Sequence, residues 1–331
     1  MEKVSVIVPC YNGNEFVDRC FRSIYQQDYP MIELVVVDDG STDESKEKIL
    51  GWKKRFNERN SELIYFYQEN QGLGSAINSG LKLVTGDFII LLDIDDEFLY
   101  GALSEKVEYL KKNPEVNVVR SNGWVVKKNT KYLFVHEEKE KNNEDIFLPL
   151  LRGETNNWAG SYMVRSKALF EFYPNREIYK SRYGQNLQFL LPLVYKNKCG
   201  FIDKPHMNYI QQDNSLSQTT NLKDIIDKSI DNANGYREIR LYMTNIITDG
   251  YEKEYYIKNI YASYWRGIMS IALVNSKKDL LKKAYIEMQK YEVASIDDRI
   301  NYYSMTSKCK MYFLKIIRKV RNILLLVSKD N

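Results

Sequence analysis

An α/β fold built on a mostly parallel sheet flanked by helices is what this chain of 331 residues predicts. Three observations lead there. Through the first hundred residues, short apolar runs of strand length alternate with segments of helical period. Runs such as Leu34-Val35-Val36-Val37 and Phe88-Ile89-Ile90-Leu91-Leu92 are apolar throughout, as strands covered on both faces are. Each run then ends in polar residues, where open α/β sheets bind their ligands.

Val4-Ser5-Val6-Ile7-Val8 reads as the first strand, stopped by Pro9. A helix follows, with Phe16, Val17, Cys20, Phe21 and Ile24 on one face and Asn14 as its cap. Leu34 to Val37 is the second strand, and Gly40-Ser41-Thr42-Asp43 supplies a turn and helix start. Leu63-Ile64-Tyr65-Phe66-Tyr67 is the third strand. Leu73, Ile77, Leu81 and Val84 mark the next helix, and Phe88 to Leu92 the fourth strand. Strands alternating with helices imply right-handed crossovers. Beyond about residue 115 the rhythm changes. Val116 to Val126 and Tyr132 to Val135 read as strands of a mixed, antiparallel-containing extension, and the charge-rich stretch 127–143 as a loop. From about 221 onward the pattern is helical. The expected division is a catalytic domain over 1–220, with halves at about 1–115 and 116–220, and a helical region over 221–331.

Composition narrows the function classes. A hydrophobic content of 44% argues against disorder. With 48 basic and 44 acidic residues, the balance gives no sign of a nucleic-acid binder. The 26 tyrosines suit half-buried positions that keep a polar tip wet. Cys10, Cys20, Cys199 and Cys309 show neither a zinc pattern nor a disulfide framework, so a reducing, cytoplasmic setting is expected. Met1-Glu2-Lys3 enters the first strand directly, which predicts no signal peptide, and no uncharged apolar run is long enough for a spanning helix.

The strand ends carry the chemistry. They are Pro9-Cys10-Tyr11-Asn12-Gly13, Asp38-Asp39-Gly40-Ser41-Thr42-Asp43, Glu69-Asn70-Gln71-Gly72 and Asp93-Ile94-Asp95-Asp96. Carboxylates crowded at a strand end repel one another unless a cation sits between them. Hard oxygen ligands suit Mg2+ or Mn2+, which a few carboxylates bridge to substrate phosphates. Taken singly, Asp38 and Asp43 would serve as turn and cap residues, and Gly72 as a turn glycine.

Together, in this order and spacing, the four motifs resemble a family 2 glycosyltransferase of the GT-A fold, a Rossmann-like sheet. The likeness is close over about 3–125, looser over 150–218, and barely reaches the C-terminal third. It implies an inverting, metal-dependent transfer of a sugar from a nucleotide-sugar, a UDP-sugar by preference. The acceptor would be a saccharide or lipid-linked saccharide, in bacterial surface polysaccharide synthesis. Tyr11, behind Pro9 and beside Asn12, would pack against the nucleobase. Asp39 would accept the imide N–H of uracil, and Asp38 would hold the turn. Asn70, Gly72 and Asn78 would flank the nucleotide. Asp93 and Asp95 match the metal pair, with Asp95 the more direct ligand and Asp96 beside it.

Two departures stand out. The family's general base would fall at Asn186, which cannot usefully accept a proton. Either Glu177 or Asp213 takes that proton, or Asn186 only orients the acceptor and the proton leaves late. In the segment expected to close over the diphosphate, the Arg and His positions hold Ile210 and Gln212; His206 lies nearby but out of register. Trp158 either stacks on an acceptor sugar or plugs the sheet. These departures keep open a second reading, a non-catalytic nucleotide-sugar-binding module of the same fold. A nucleotidyltransferase is disfavoured, because Pro9 to Asn14 is not a Gly-rich, basic loop.

Lys308 to Val327 has an amphipathic, basic pattern. It either lies on an anionic membrane surface, which would place the protein at the inner face of the plasma membrane, or packs on its own domain.

Overall fold

The computed structural model describes residues 2–59, 61–128, 130–211 and 222–327. Two compact units emerge, Met1–Ser217 and Gln218–Asn331.

In the first unit, β1 (Val4–Cys10), α1 (Asn14–Tyr25), β2 (Ile32–Asp39), α2 (Ser45–Glu58), β3 (Glu62–Gln68), α3 (Leu73–Leu83) and β4 (Phe88–Leu91) follow the expected alternation. Strands β3, β2, β1 and β4 lie side by side in that order, all parallel. Every residue of β2 is buried, the apolar run Leu34–Val37 together with Glu33, Asp38 and Asp39. Phe21 of α1 meets Trp52 and Phe56 of α2 edge-on and covers one face of the sheet. Asn14 begins α1 but does not cap it. Gly13 holds the cap position and makes no side-chain cap bond of its own. The Asn14 N–H instead donates to Asp43, which also accepts the Ser45 N–H. Asp43 is therefore a tie between the starts of α1 and α2.

The chain continues through β5 (Glu97–Phe98), α4 (Ala102–Lys112), β6 (Val118–Lys127), β7 (Thr130–Leu133), α5 (Glu138–Lys141) and α6 (Phe147–Arg152). It closes the unit with β8 (Tyr162–Arg165), α7 (Ser166–Phe172), α8 (Gln185–Val194) and β9 (Cys199–Ile210). The sheet runs on from β4 through β8, β6 and β9 to β5, with antiparallel β4–β8, β8–β6 and β9–β5 pairings and a parallel β6–β9 pairing. The mixed extension is thus present. The stretch 127–143 is not simply a loop. Its first part completes a β6–β7 hairpin, pairing Lys127 with Thr130, and Glu138–Lys141 forms a short helix.

His206 of β9 does not face a ligand. It is fully buried, with Nδ1 against the Lys106 ammonium at 3.2 Å and Nε2 against Glu105 at 3.1 Å. Burial, reinforced by Lys106 and Lys204, pushes its imidazole down to about 2. It stays neutral and serves the packing of β9 on α4.

The second unit is helical: α9 (Leu222–Ile247), α10 (Gly250–Val274), α11 (Lys278–Lys290), α12 (Ile296–Thr306) and α13 (Lys308–Val327). Ile268, Met269 and Ala272 of α10 form a core with Leu281, Ala284 and Met288 of α11. Tyrosines fill its margins as stacked pairs, Tyr261 on Tyr291 and Tyr285 on Tyr302, with ring centroids 4.1 and 4.2 Å apart. A capping box opens α12, where Ser295 accepts the Asp298 N–H and Asp298 accepts the Ser295 N–H. All four cysteines are free.

Candidate nucleotide and metal site

The loops after β1, β2, β3 and β4 emerge along one edge of the sheet, as parallel strands with short-range crossovers require. Gly40 has a φ of +79°, and a Cβ there would stand 2.7 Å from the Asn70 nitrogen. Only glycine lets the β2 and β3 loops close on each other in this way. Gly13 likewise presses on Ile94, drawing the β1 loop against the acidic β4 loop.

A cavity of about 630 Å³ opens at this edge. Pro9, Tyr11, Asp39, Asn70 and Gly72 line it. Tyr11 is 52% exposed, so its ring is available to stack. Asp39 is buried and accepts from Gln68 Nε2 at 2.7 Å and from the N–H groups of Gln71 and Gly72 at 2.9 and 2.8 Å. It fixes the β3 loop while its carboxylate borders the cavity. Cys10 also lines the cavity, but burial pushes its thiol up to about 11 and leaves it an inert wall.

Asp38, Asn12 and Asn78 hold the walls. Asp38 accepts the Ser41 N–H and the Tyr65 hydroxyl. Asn12 accepts the Thr42 N–H, and its own N–H donates to Ser41. Asn78 is buried, with its carboxamide donating to the Ile178 carbonyl at 2.9 Å and accepting the Ile178 N–H at 2.8 Å.

At the end of β4, Asp93 and Asp95 are half-buried and Asp96 is buried. Burial, and then the neighbouring Asp95 charge, pushes the Asp93 carboxyl up to about 7. Burial also raises Asp95, and burial with the charges of Asp93 and Asp95 raises Asp96 well above the carboxylate range. Carboxylates crowded and desolvated in this way fit a divalent cation, which would restore their charged form. Asp96 has a second task, since it accepts the Ile210 N–H at the end of β9. The Arg19 guanidinium donates to the main-chain oxygen of Asp95 and braces the loop from α1. Among the described residues, no three acidic, thiol or imidazole groups gather closely enough to cage an ion alone. Substrate phosphate and water would complete the shell, as is usual for Mg2+.

Asn186 sits in the first turn of α8, and its Oδ1 accepts the Tyr162 hydroxyl at 2.7 Å. Tyr162 is fully buried, and burial followed by the Asp93 charge holds its hydroxyl protonated. With Oδ1 engaged, Asn186 offers Nδ2 as its remaining group. Glu177 is exposed and ion-paired with Lys82, which holds its carboxyl below the usual range. That suits a surface tie and not a proton acceptor. Asp213 and Gln212 lie outside the described residues. Trp158 stacks on Tyr209 at 5.1 Å with an 11° tilt and meets Phe134 edge-on, which supports the plug and not a free sugar platform.

Lys180, Ser181 and Arg182 also line the cavity, and sequence reasoning passed over them. They lie between α7 and α8, outside every motif. The one available signal was two cations within a short polar run before Tyr183-Gly184.

Comparison with known proteins agrees with this geometry. The family profile described as Glycosyl transferase family 2 matches residues 5–177. The chain is 30% identical over 198 residues to Glycosyltransferase GlyA of Streptococcus pneumoniae, covering 57% of this chain and 26% of that protein. It therefore spans about a quarter of that relative's length. It is 29% identical to GalNAc(5)-diNAcBac-PP-undecaprenol beta-1,3-glucosyltransferase of Campylobacter jejuni, over 80% of this chain and 81% of that one. Among solved structures, S. aureus TarS 1-349 in complex with UDP-GlcNAc superposes with a TM-score of 0.63 at 15% identity. The superposition covers 94% of this chain and 89% of that one, a likeness of fold.

Proposed function

The chain belongs to glycosyl transferase family 2, and from that premise we propose that it moves a sugar from a UDP-sugar to a saccharide acceptor with inversion. The observation that carries this reading is one sheet edge holding both an open cavity with a free tyrosine face and a desolvated carboxylate cluster. The cavity suits a nucleoside and the cluster a metal-bound diphosphate. A lipid-linked acceptor is in keeping with the Campylobacter relative, whose name describes a lipid-linked saccharide.

Asp93 and Asp95 would hold Mg2+ or Mn2+, which when bound supplies neutralisation of charge on the departing diphosphate. Asp96 would support the pair from behind while tying down β9. The chain's own residues then do the rest. Tyr11 packs on the base, and Asp39 accepts the uracil imide N–H while holding its loop. Tyr162 orients Asn186, whose Nδ2 fixes the acceptor oxygen for attack on the anomeric carbon from the face opposite the diphosphate. The acceptor proton leaves late, to water or phosphate, since no carboxylate in the described α8 region is poised to take it.

A membrane role would suit such an acceptor, and the C-terminal helix supports one. Among the described residues no helix is long and apolar enough to cross a membrane. On α13, Tyr312, Phe313, Ile316 and Ile317 are exposed, with Phe313 and Ile316 at 64% and 63%. Lys308, Lys315 and Lys319 flank that arc on one side and Lys310 on the other. An apolar arc between lysines fits an anionic lipid surface.

The test of the activity is a panel of nucleotide-sugars with Mg2+ or Mn2+, scored for hydrolysis and transfer. Metal-dependent release of UDP from at least one UDP-sugar is expected. Tight UDP binding with no turnover on any donor would favour the non-catalytic binding module.

A further inference from the structure

We propose that the segment between α7 and α8 is a fixed strap whose Lys180 and Arg182 bind the diphosphate of the donor. This rests on the reading of the sheet edge, cavity and carboxylate cluster together, as a nucleoside diphosphate site and deepens it.

The strap is fastened on both sides of the two cations. Upstream, Asn78 of α3 makes its reciprocal pair with the Ile178 backbone. Next to it, Gln188 of α8 accepts the Tyr179 N–H at 2.8 Å and donates to the Tyr179 carbonyl at 3.1 Å. Downstream, Gln185 donates to the Ser181 carbonyl at 2.6 Å, and Ser181 Oγ accepts the Tyr183 N–H. Asn78, Gln185 and Gln188 are all buried, so these bonds are shielded from water. Against the opposite face lies Gly74, where a Cβ would stand 2.9 Å from the Ser181 carbonyl oxygen. The backbone of the strap is thereby seated directly on the first turn of α3.

What this fastening presents is charge. Lys180 and Arg182 are the cations that line the cavity, and both side chains are exposed to it. Neither forms an ion pair among the described residues; Arg182 lies over the Tyr183 ring at 5.8 Å, and the Lys180 charge is felt by Glu177. The carboxylates of the edge are of opposite sign, with Asp39 in the cavity wall and Asp93, Asp95 and Asp96 at the end of β4. The diphosphate of a nucleotide-sugar carries two negative charges and gains a further one as it departs, and a divalent ion held by two carboxylates has its own charge offset, so protein cations are needed as well. Buried amides spent on main-chain groups hold the strap still, so little ordering cost falls on binding. The positions where the family likeness places basic groups hold Ile210 and Gln212. The strap offers the replacement.

Calorimetry on the full chain with uridine, UMP and UDP, in buffer containing Mg2+, tests this. The exposed Lys180→Gln and Arg182→Gln changes should leave the fold intact. Each should weaken UDP binding by roughly ten-fold, the size of one lost charge-assisted hydrogen bond. UMP should lose less and uridine nothing, and Lys180→Arg should retain most of the affinity. Equal weakening of uridine and UDP would overturn the proposal, because the strap would then shape only the base pocket. UDP affinity that survives loss of both cations would overturn it while leaving the donor reading intact. Failure of the unaltered chain to bind UDP or GDP would sink the donor reading and the strap with it.

Discussion

The two walls of the nucleotide cavity are built in opposite ways. On the β1–β4 wall, each functional loop follows its own strand, and its ties run within a loop or between neighbouring loops: Asp38 to Ser41, Asp43 to Ser45, Asn12 to Thr42, Asp39 to Gln71. The facing wall is joined to the first by a long tie, Asn78 to Ile178, 100 residues apart in sequence. Chemistry on the first wall is carried by adjacent loops of one run of strands and helices, whereas the second wall reaches the cavity only through a contact between distant segments. Substitutions on the first wall should therefore strike binding and turnover directly. Those on the second should act through positioning.

The largest effect should come from the acidic end of β4. Asp95→Asn should lower turnover by about a hundred-fold or more, as expected for losing a ligand of a Lewis-acid site. Far-UV circular dichroism should be unchanged, because the carboxylate is half-buried at a strand end and outside the apolar core. Near-normal turnover of Asp95→Asn, with Asp93 also dispensable, would break the metal assignment and leave the β1–β4 wall a binding surface only.

Asp39→Ala sharpens the comparison within that same wall. It removes an acceptor for a base N–H and also strands the N–H groups of Gln71 and Gly72. UDP affinity should fall by about 1–3 kcal/mol, the usual cost of unpairing a buried donor. Calorimetry with UDP and with uridine should show the same loss, because the lost contact is to the base. A loss seen for UDP and not for uridine would mean that Asp39 does not read the base.

The contrast between walls also explains what could be read from the chain. The parallel half was legible because β1, β2 and β4 are short apolar runs, each followed at once by its polar loop. The same motifs pointed to Asn12, Asp38 and Asn78, but likeness marks positions and not what side chains touch. Asp38 and Asn78 are buried and Asn12 is exposed, and all three hold loops. Lys180 and Arg182 were not legible, because their place depends on Asn78 and Gln188 reaching the same strap from different helices. Both strands of the β6–β7 hairpin were legible, but the second begins at Thr130, two residues before the run Tyr132 to Val135. Thr130–Leu133 is an edge strand whose charged neighbours resemble a loop in composition.

The facing wall should respond more gently. In Asn186→Asp, Tyr162 still donates to the new side chain, so its orientation is kept. Turnover should persist and rise near neutral pH, with a new acid limb in the pH–rate profile as the carboxylate becomes a base. Glu177→Ala should leave turnover unchanged, since that group is committed to Lys82. If Asn186→Asp abolishes transfer while UDP binding survives, the Nδ2 donor is indispensable and positioning alone accounts for the residue.

The smallest effects belong to the second unit, where α13 tests whether an exposed face is a surface for lipid. Its inward positions are Met311, Leu314 and Arg318, and Arg318 pairs with Asp297 of α12 at 2.7 Å. The arc of Tyr312, Phe313, Ile316 and Ile317 points the other way. Packing on α12 therefore uses a different face from the one left for a partner. A lysine beside an anionic bilayer contributes about 1 kcal/mol, so reversing Lys308 and Lys315 to Glu should weaken vesicle binding by more than ten-fold. Binding should also decline with salt, because surface charges are screened over about 8–10 Å near physiological ionic strength. Phe313→Asp with Ile316→Asp should abolish sedimentation with anionic vesicles at low salt and leave the melting temperature nearly unchanged, since both side chains are already in water. A clear drop in melting temperature would instead mean that protein covers this arc. Loss of a dimer in sedimentation velocity would assign the arc to a second copy of the chain, and either result would remove the membrane from the account.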